Sequence, residues 1–349
     1  MAIVFAILLF SFLIFIHELG HFIAAKLSGI QVNEFSIFMG PAIFKKQIGE
    51  TLYAIRCIPI GGYCAMEGED EETDNPRSFR AAKWWKRLIV LVAGSFMNFV
   101  VGVLLVAIVL FGQPKYTVAQ ISTIEDWSTV DSLQVGDTIL EINSEKIAIF
   151  EDFSLATALL PNGKYDMVVE RNGQRVFLDD VTMERQTVQD ANGQTMQLYG
   201  LNFTRVDNTP ESVPGRILPT AANHVKSVIV SIKALFTGKA SVSEVSGPVG
   251  IVTIMSDVAE QSAPEYVFLN LLSIGALIAI NLAVMNMLPI PALDGGRVVG
   301  LLLTTVIEKI TRKKISSKVE GYIHGVGMIL LLILMAVIMF KDVFMLFRG

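Results

Sequence analysis

The stretch SFLIFIHELGHFIAAKL, Ser11 to Leu27, sets two histidines and a glutamate inside a run otherwise suited to lipid. Such a run reads as a helix, and residues four apart on a helix share a face. His17 and His21 therefore project side by side, at the spacing with which two imidazoles reach one zinc ion. Glu18 stands next to His17, where a general base would take the proton of an attacking water. The plainer reading is two histidines hydrogen-bonded within a helix bundle. It leaves three polar groups in hydrocarbon, each costing several kcal/mol unless satisfied. A shared metal ion satisfies all three at once.

The rest of the chain agrees with a membrane setting. Of its 349 residues 52% are hydrophobic and 17% charged, and the mean hydropathy is +0.54. A helix needs about 20 apolar residues to cross a bilayer. Four runs qualify: Ala2 to Leu27, Leu88 to Phe111, Val267 to Leu288 and Tyr322 to Phe340. A cleaved signal peptide is a poor reading of the first, which has no basic leader, no small-residue cleavage site and continues past the histidines. Nine Lys and Arg fall between Lys26 and Arg87, and the link between the last two runs contains EKITRKKISSK, whereas 112–266 is acidic. Positive segments stay cytoplasmic. Segments 26–87 and 297–318 are thus expected on the cytoplasmic side, with 112–266 and both termini outside. Cys57 and Cys64 fall on the reducing side and are expected to be small buried hydrophobes.

Between the runs, TLYAIRCIPIGGYCAM (Thr51–Met66) reads as extended chain, EGEDEETDNP as a solvated loop, and AAKWWKR as an interfacial belt with Trp84 and Trp85 as anchors. YTVAQIS, DTILEIN and YDMVVERNGQRVFLDD read as strands, the last with an Asn172-Gly173 hairpin turn. FEDFSLATALLPNG reads as a helix ended by Pro161 and Gly163. Ile217 to Leu235 has helical apolar spacing and suits docking on a domain or on the membrane.

Zinc hydrolases use three protein ligands and leave one position open. His224 and His324 suit surfaces or interfaces better than a metal. Asp294, in NLAVMNMLPIPALDGGRVVG, is the better third ligand. Pro289 and Pro291 stop the third span and force irregular backbone, which membranes tolerate only inside protein or beside a water-filled cavity. The alternative for Asp294 is to cap the helix that follows Gly296.

HExxH in the first span with NxxPxPxLDGG in the third resembles the site-2 protease family of intramembrane zinc metalloproteases, in its bacterial regulator-of-sigma-E branch. FSIFMGP, IPIGGYCAMEGED, AGSFMNF, LQVGDTILEIN and VSGPVGI resemble further segments of that family, so the likeness covers nearly the whole chain. It implies zinc on His17, His21 and Asp294, with Glu18 as catalytic base. Asn281 and Asn286 would line the cleft and hold substrate backbone, and Pro289 and Pro291 would shape the loop presenting Asp294. Asn98 would be a polar contact between helices. The strand at Tyr53, Ala54, Ile55 and Arg56 would pair with an unwound substrate by β-addition.

The implied architecture is a multi-pass α-helical membrane protein with four transmembrane helices, a membrane-associated β-hairpin and an inserted α+β PDZ-like domain. Its parts would be 1–111 (first two spans, HExxH and β region), 112–210 (extracytoplasmic PDZ-like domain), 211–266 (amphipathic helix and connector) and 267–349 (last two spans). TIEDWSTVDSL departs from the usual PDZ carboxylate loop, so this domain is expected to filter substrates sterically. The implied activity is hydrolysis in or near the transmembrane segment of a single-pass protein or a remnant signal peptide. It would take place in the inner (plasma) membrane with the active site toward the cytoplasm. No nucleic-acid partner is expected. Two rivals are a non-enzymatic membrane PDZ scaffold, in which Glu18 would be dispensable, and a metal transporter, which would need more ionisable groups in the second and fourth spans.

Overall fold

The computed structural model describes residues 2–69, 71, 73–158, 162–189, 195–239, 241, 245–312 and 317–346. Pro161, expected to end a helix, lies outside them, as does the side chain of His324. In chain order the elements are α1 (Ala2–Ser28), β1 (Val32–Ile48), β2 (Thr51–Met66), α2 (Trp84–Gly112), β3 (Lys115–Ile124), β4 (Thr138–Ile142), β5 (Glu145–Lys146), α3 (Phe150–Ala158), β6 (Gly163–Arg171), β7 (Gln174–Met183), β8 (Gln186–Gln189), β9 (Thr195–Leu198), β10 (Leu201–Asp207), α4 (Pro214–Phe236), α5 (Pro248–Gln261), α6 (Val267–Asn286), α7 (Asp294–Thr311) and α8 (Ser317–Leu346). The chain divides into two units, one of 1–105 with 240–349 and one of 106–239.

In the first unit α1, α2, α6 and 321–344 of α8 are long and apolar enough to cross a membrane. Small residues bring the first three together, as expected where no hydrophobic drive operates between helices. A Cβ on Gly20 would lie 2.4 Å from the Ala93 carbonyl oxygen of α2, and one on Gly102 2.5 Å from Ile280 of α6. Gly29, at φ +78°, ends α1 in the left-handed conformation. The Lys86 ammonium donates to the Ser28 carbonyl at that end (2.7 Å).

β1 and β2 form an antiparallel pair so strongly bent that each contributes two segments. Residues 34–37 pair on one side with 52–55 and on the other with 62–65, while 42–48 pairs with 51–56. The resulting order is 42–48, 51–56, 34–37, 62–65. Phe38 (φ 69°) and Gly40 (φ 85°) make the bend in β1. Arg56 staples it, donating to Ser36 Oγ (3.0 Å), the Gly40 carbonyl (2.5 Å), Glu34 (2.6 Å) and the Tyr63 hydroxyl (2.6 Å).

This order corrects the β-addition expected at Tyr53–Arg56. Tyr53, Ala54 and Ile55 already have strand partners on both sides, and the Arg56 side chain is committed within the sheet. Of the two cysteines, Cys64 is buried as expected and burial pushes its thiol above the ordinary range. Cys57 is exposed, because alternate residues of a strand face opposite ways and its face is uncovered.

α8 is largely exposed, yet Asp342 near its end is buried. Its Oδ2 accepts the backbone N–H groups of Gly247 and Gly250 at the start of α5, both at 2.9 Å. The Lys341 ammonium donates to the Val245 carbonyl (2.6 Å). α5 has no side-chain cap of its own, so an acid borrowed from α8 supplies it. Charge-assisted bonds of this kind contribute about 1.5–3 kcal/mol each. Asp342→Ala should therefore lower the thermal unfolding midpoint of the detergent-solubilised protein, and Asp342→Asn, which keeps an acceptor, should lower it less. Equal midpoints for all three proteins would show that this clasp holds nothing.

In the second unit β10, β3, β4, β6 and β7 form one sheet in that order, with β5 beside β4, and β8 pairs with β9. Asn172 (φ 52°) and Gly173 (φ 76°) make the turn between β6 and β7. Ile121, Ile139, Met167, Val169, Val181 and Met183 fill its core. α4 docks on this unit: Asn223 donates to Asp152 of α3 (3.0 Å) and Arg216 stacks on Tyr116 (3.6 Å). Burial lowers the His224 pKa on the same helix.

Candidate metal centre

The centre lies wholly in the first unit. α1 carries His17 and His21 one turn apart, and their ring centroids are 4.8 Å from each other. Asp294 comes from the start of α7. Its carboxylate does not cap that helix: the N-cap is Leu293 and no side-chain cap bond is made. Instead Asp294 Oδ2 is 3.1 Å from His17 Nε2 and 3.4 Å from His21 Nε2, and the two Nε2 atoms are 3.1 Å apart.

These separations test whether zinc fits. Tetrahedral ligands at about 2.0–2.1 Å from zinc stand roughly 3.3 Å from one another. The three donor atoms match that spacing. Asp294 Oδ2 is buried without a hydrogen-bond partner, and such an atom calls for a cation. One ligand atom from each of the three residues falls within a 4.8 Å set, the only such cluster among the described residues.

The surroundings explain the convergence. His21 Nδ1 is 2.8 Å from the Val90 carbonyl of α2; donation there leaves the Nε2 lone pair facing the centre. α2 reaches this close because residue 94 is glycine: a Cβ there would lie 2.3 Å from His21 Nε2 and 2.8 Å from His17 Nε2. Asp294 is delivered by the turn 287–293, in which Ala292 takes φ 78°. Gly295 and Gly296 let that turn fold back on α7, since their Cβ atoms would lie 2.3 Å from the Leu288 oxygen and 2.2 Å from the Ile290 oxygen. Arg297, one residue on, pairs with Glu69.

Glu18 faces the sheet: its Cγ would be 3.5 Å from a Cβ on Gly62. Asn286 and Asn98 each bring an amide to 3.5 Å from His17 Nδ1. Asn281 is exposed and takes no part in this cluster. Pro289 is exposed, while Pro291 packs where a Cβ on Gly327 of α8 would lie 2.3 Å from it. An apolar cavity of about 590 Å³ lies beside this turn, lined by Ile290, Pro291 and Leu293 and by Tyr322, Val326 and Leu330 of α8. Gly94 and Gly62 escaped sequence reasoning, because glycine in an apolar helix or strand signals nothing until its neighbour is known.

Comparison with known proteins gives one answer along the chain. The profile of peptidase family M50 matches residues 5–334. A Clostridium acetobutylicum protein named as a zinc metalloprotease is 37% identical over 347 residues, covering 98% of this chain and 97% of that one. A Fusobacterium nucleatum protein named likewise is 35% identical over 353 residues, with 98% of each chain covered. The regulator of sigma-W protease RasP of Bacillus subtilis is 27% identical over 425 residues, again with 98% of each covered. With that match and four helices among the described residues fit to span a bilayer, the chain belongs to peptidase family M50 and is a membrane zinc metalloprotease.

Proposed function

We propose that the chain is an intramembrane endopeptidase that cuts in or near the membrane-spanning segment of single-pass proteins or remnant signal peptides. His17, His21 and Asp294 hold zinc, and Glu18 is the general base. The observation that carries this reading is the convergence of three zinc-type donors from α1 and α7 inside a unit of membrane-spanning helices. Bound there, zinc supplies Lewis acidity, polarising a peptide carbonyl and acidifying a water molecule. Glu18 takes the proton of the attacking water and returns it to the amide nitrogen as the C–N bond breaks, so the products are a carboxylate and an amine.

A helix hides its peptide bonds, so the substrate must be unwound before it is cut. The segment Gly62–Met66, which has a strand partner on one side only among the described residues, suits this by strand addition. Because Glu18 lies against Gly62, a chain laid along that segment runs beside the base. The apolar cavity between the proline turn and α8 suits the approach of an apolar segment. The basic segments 26–87 and 297–318 favour a cytoplasmic position for this side of the molecule. The acidic segment 112–266, read as carrying the PDZ-like domain, is expected outside by the same rule, where that domain would act as a steric filter.

The test is cleavage of a doubly labelled single-pass peptide by purified protein in liposomes, with the cut mapped by mass spectrometry. A cut inside or next to the apolar segment is expected, lost in Asp294→Ala. Fragments that persist in Asp294→Ala, or that end only in distant soluble flanks, would refute the reading.

A further inference from the structure

The two histidines are held differently on the side away from the metal centre. His21 Nδ1 has a backbone carbonyl, which can only accept, so its proton is fixed. His17 Nδ1 has no carbonyl and faces two side-chain amides, Asn98 Nδ2 and Asn286 Nδ2, both at 3.5 Å. For His17 to ligate through Nε2, its Nδ1 must carry the proton, and a proton needs an acceptor rather than two NH2 groups. Asn98 meets that need. It is 1% exposed, and its Oδ1 is buried with no partner. Amide oxygen and nitrogen exchange places by a half-turn about the last side-chain bond. That turn puts Oδ1 of Asn98 against Nδ1 of His17 and removes the orphaned acceptor.

We propose that Asn98 of α2 is the positioning residue for His17: its Oδ1 accepts the Nδ1 proton, fixes the tautomer and aims Nε2 at zinc. Asn286 is then not required by the histidine, and its amide is left to turn toward substrate. The two histidines are thereby oriented by one helix, through the Val90 carbonyl and the Asn98 amide two turns further along. This inference rests on the reading of His17 as a zinc ligand.

The experiment measures zinc affinity directly, by competition with a chromophoric chelator on the purified full chain in detergent, with thermal unfolding recorded for each variant. Loss of an outer hydrogen-bond partner weakens metal binding by about 10–100-fold. Asn98→Ala and Asn98→Leu should both show that loss, the second with side-chain volume preserved. Asn98→Asp, which keeps an acceptor in place, should bind zinc more tightly than either. Ser95→Ala, an equally buried change one turn away, should leave affinity unchanged. Wild-type affinity in Asn98→Ala, or equal losses in Asn98→Asp and Asn98→Leu, would overturn the role of Asn98. His17→Ala separates the two layers: undiminished zinc binding there would overturn the metal-site reading itself.

Discussion

A Glu18→Gln protein should hold zinc as tightly as the wild type and cleave a transmembrane peptide about 10²–10⁴-fold more slowly, the usual worth of a positioned base. That factor corresponds to roughly 3–5 kcal/mol of lost transition-state stabilisation. The substitution separates chemistry from construction. Glutamine has the same shape and fits the same space beside Gly62. The donor atoms of His17, His21 and Asp294 are on other side chains, so the substitution leaves that donor set in place. What glutamine lacks is a lone pair basic enough to take a proton from water. Chelator competition and product formation should therefore come apart: unchanged zinc, vanishing fragments. Cleavage within tenfold of the wild type would place the base elsewhere. A scaffold, by contrast, would lose nothing.

The parts legible in the sequence were those in which one residue type breaks a local pattern. His17, Glu18 and His21 interrupt an apolar run, and Asp294 follows two prolines just past the end of another; both signals are local, and His17, His21 and Asp294 meet in the centre. The helices that can cross a membrane were equally plain, because twenty apolar residues in a row have few other uses. What failed was pairing. β1 did not read as a strand because Phe38 and Gly40 bend it and Pro41 interrupts its donors. Without β1, the neighbours of Tyr53–Arg56 could not be counted, and an interior strand passed for an edge. Asp342 likewise gives no hint of its partners, since the Gly247 and Gly250 amides lie far away along the chain. Local chemistry is written in the sequence; which backbone stands next to which is settled only by packing.

Gly94 shows how narrow that packing is, and Gly94→Ala should weaken zinc binding in a protein that still folds. The added methyl would fall 2.3 Å from His21 Nε2 and 2.8 Å from Cε1 and Nε2 of His17, well inside contact distance. Something must move, and the backbones have little freedom to do so. α1 and α2 already touch where a Cβ on Gly20 would meet the Ala93 oxygen at 2.4 Å, and His21 Nδ1 is tied to Val90 of α2. The imidazoles are what can swing, and swinging carries both Nε2 atoms off the tetrahedral spacing they share with Asp294. The helix itself gains, since alanine is favoured over glycine by about 1 kcal/mol. Zinc affinity should fall on the order of 10²-fold, as when a ligand's supports are lost, without loss of helical content by circular dichroism. Gly102→Ala is the counterpart. Its methyl meets Cγ1 of the buried Ile280 at 2.5 Å and should cost about 1–3 kcal/mol of stability through overpacking, with zinc affinity intact. If Gly94→Ala binds zinc like the wild type, the histidines do not need the shape of α2, and the tight approach of the two helices is not what aims them.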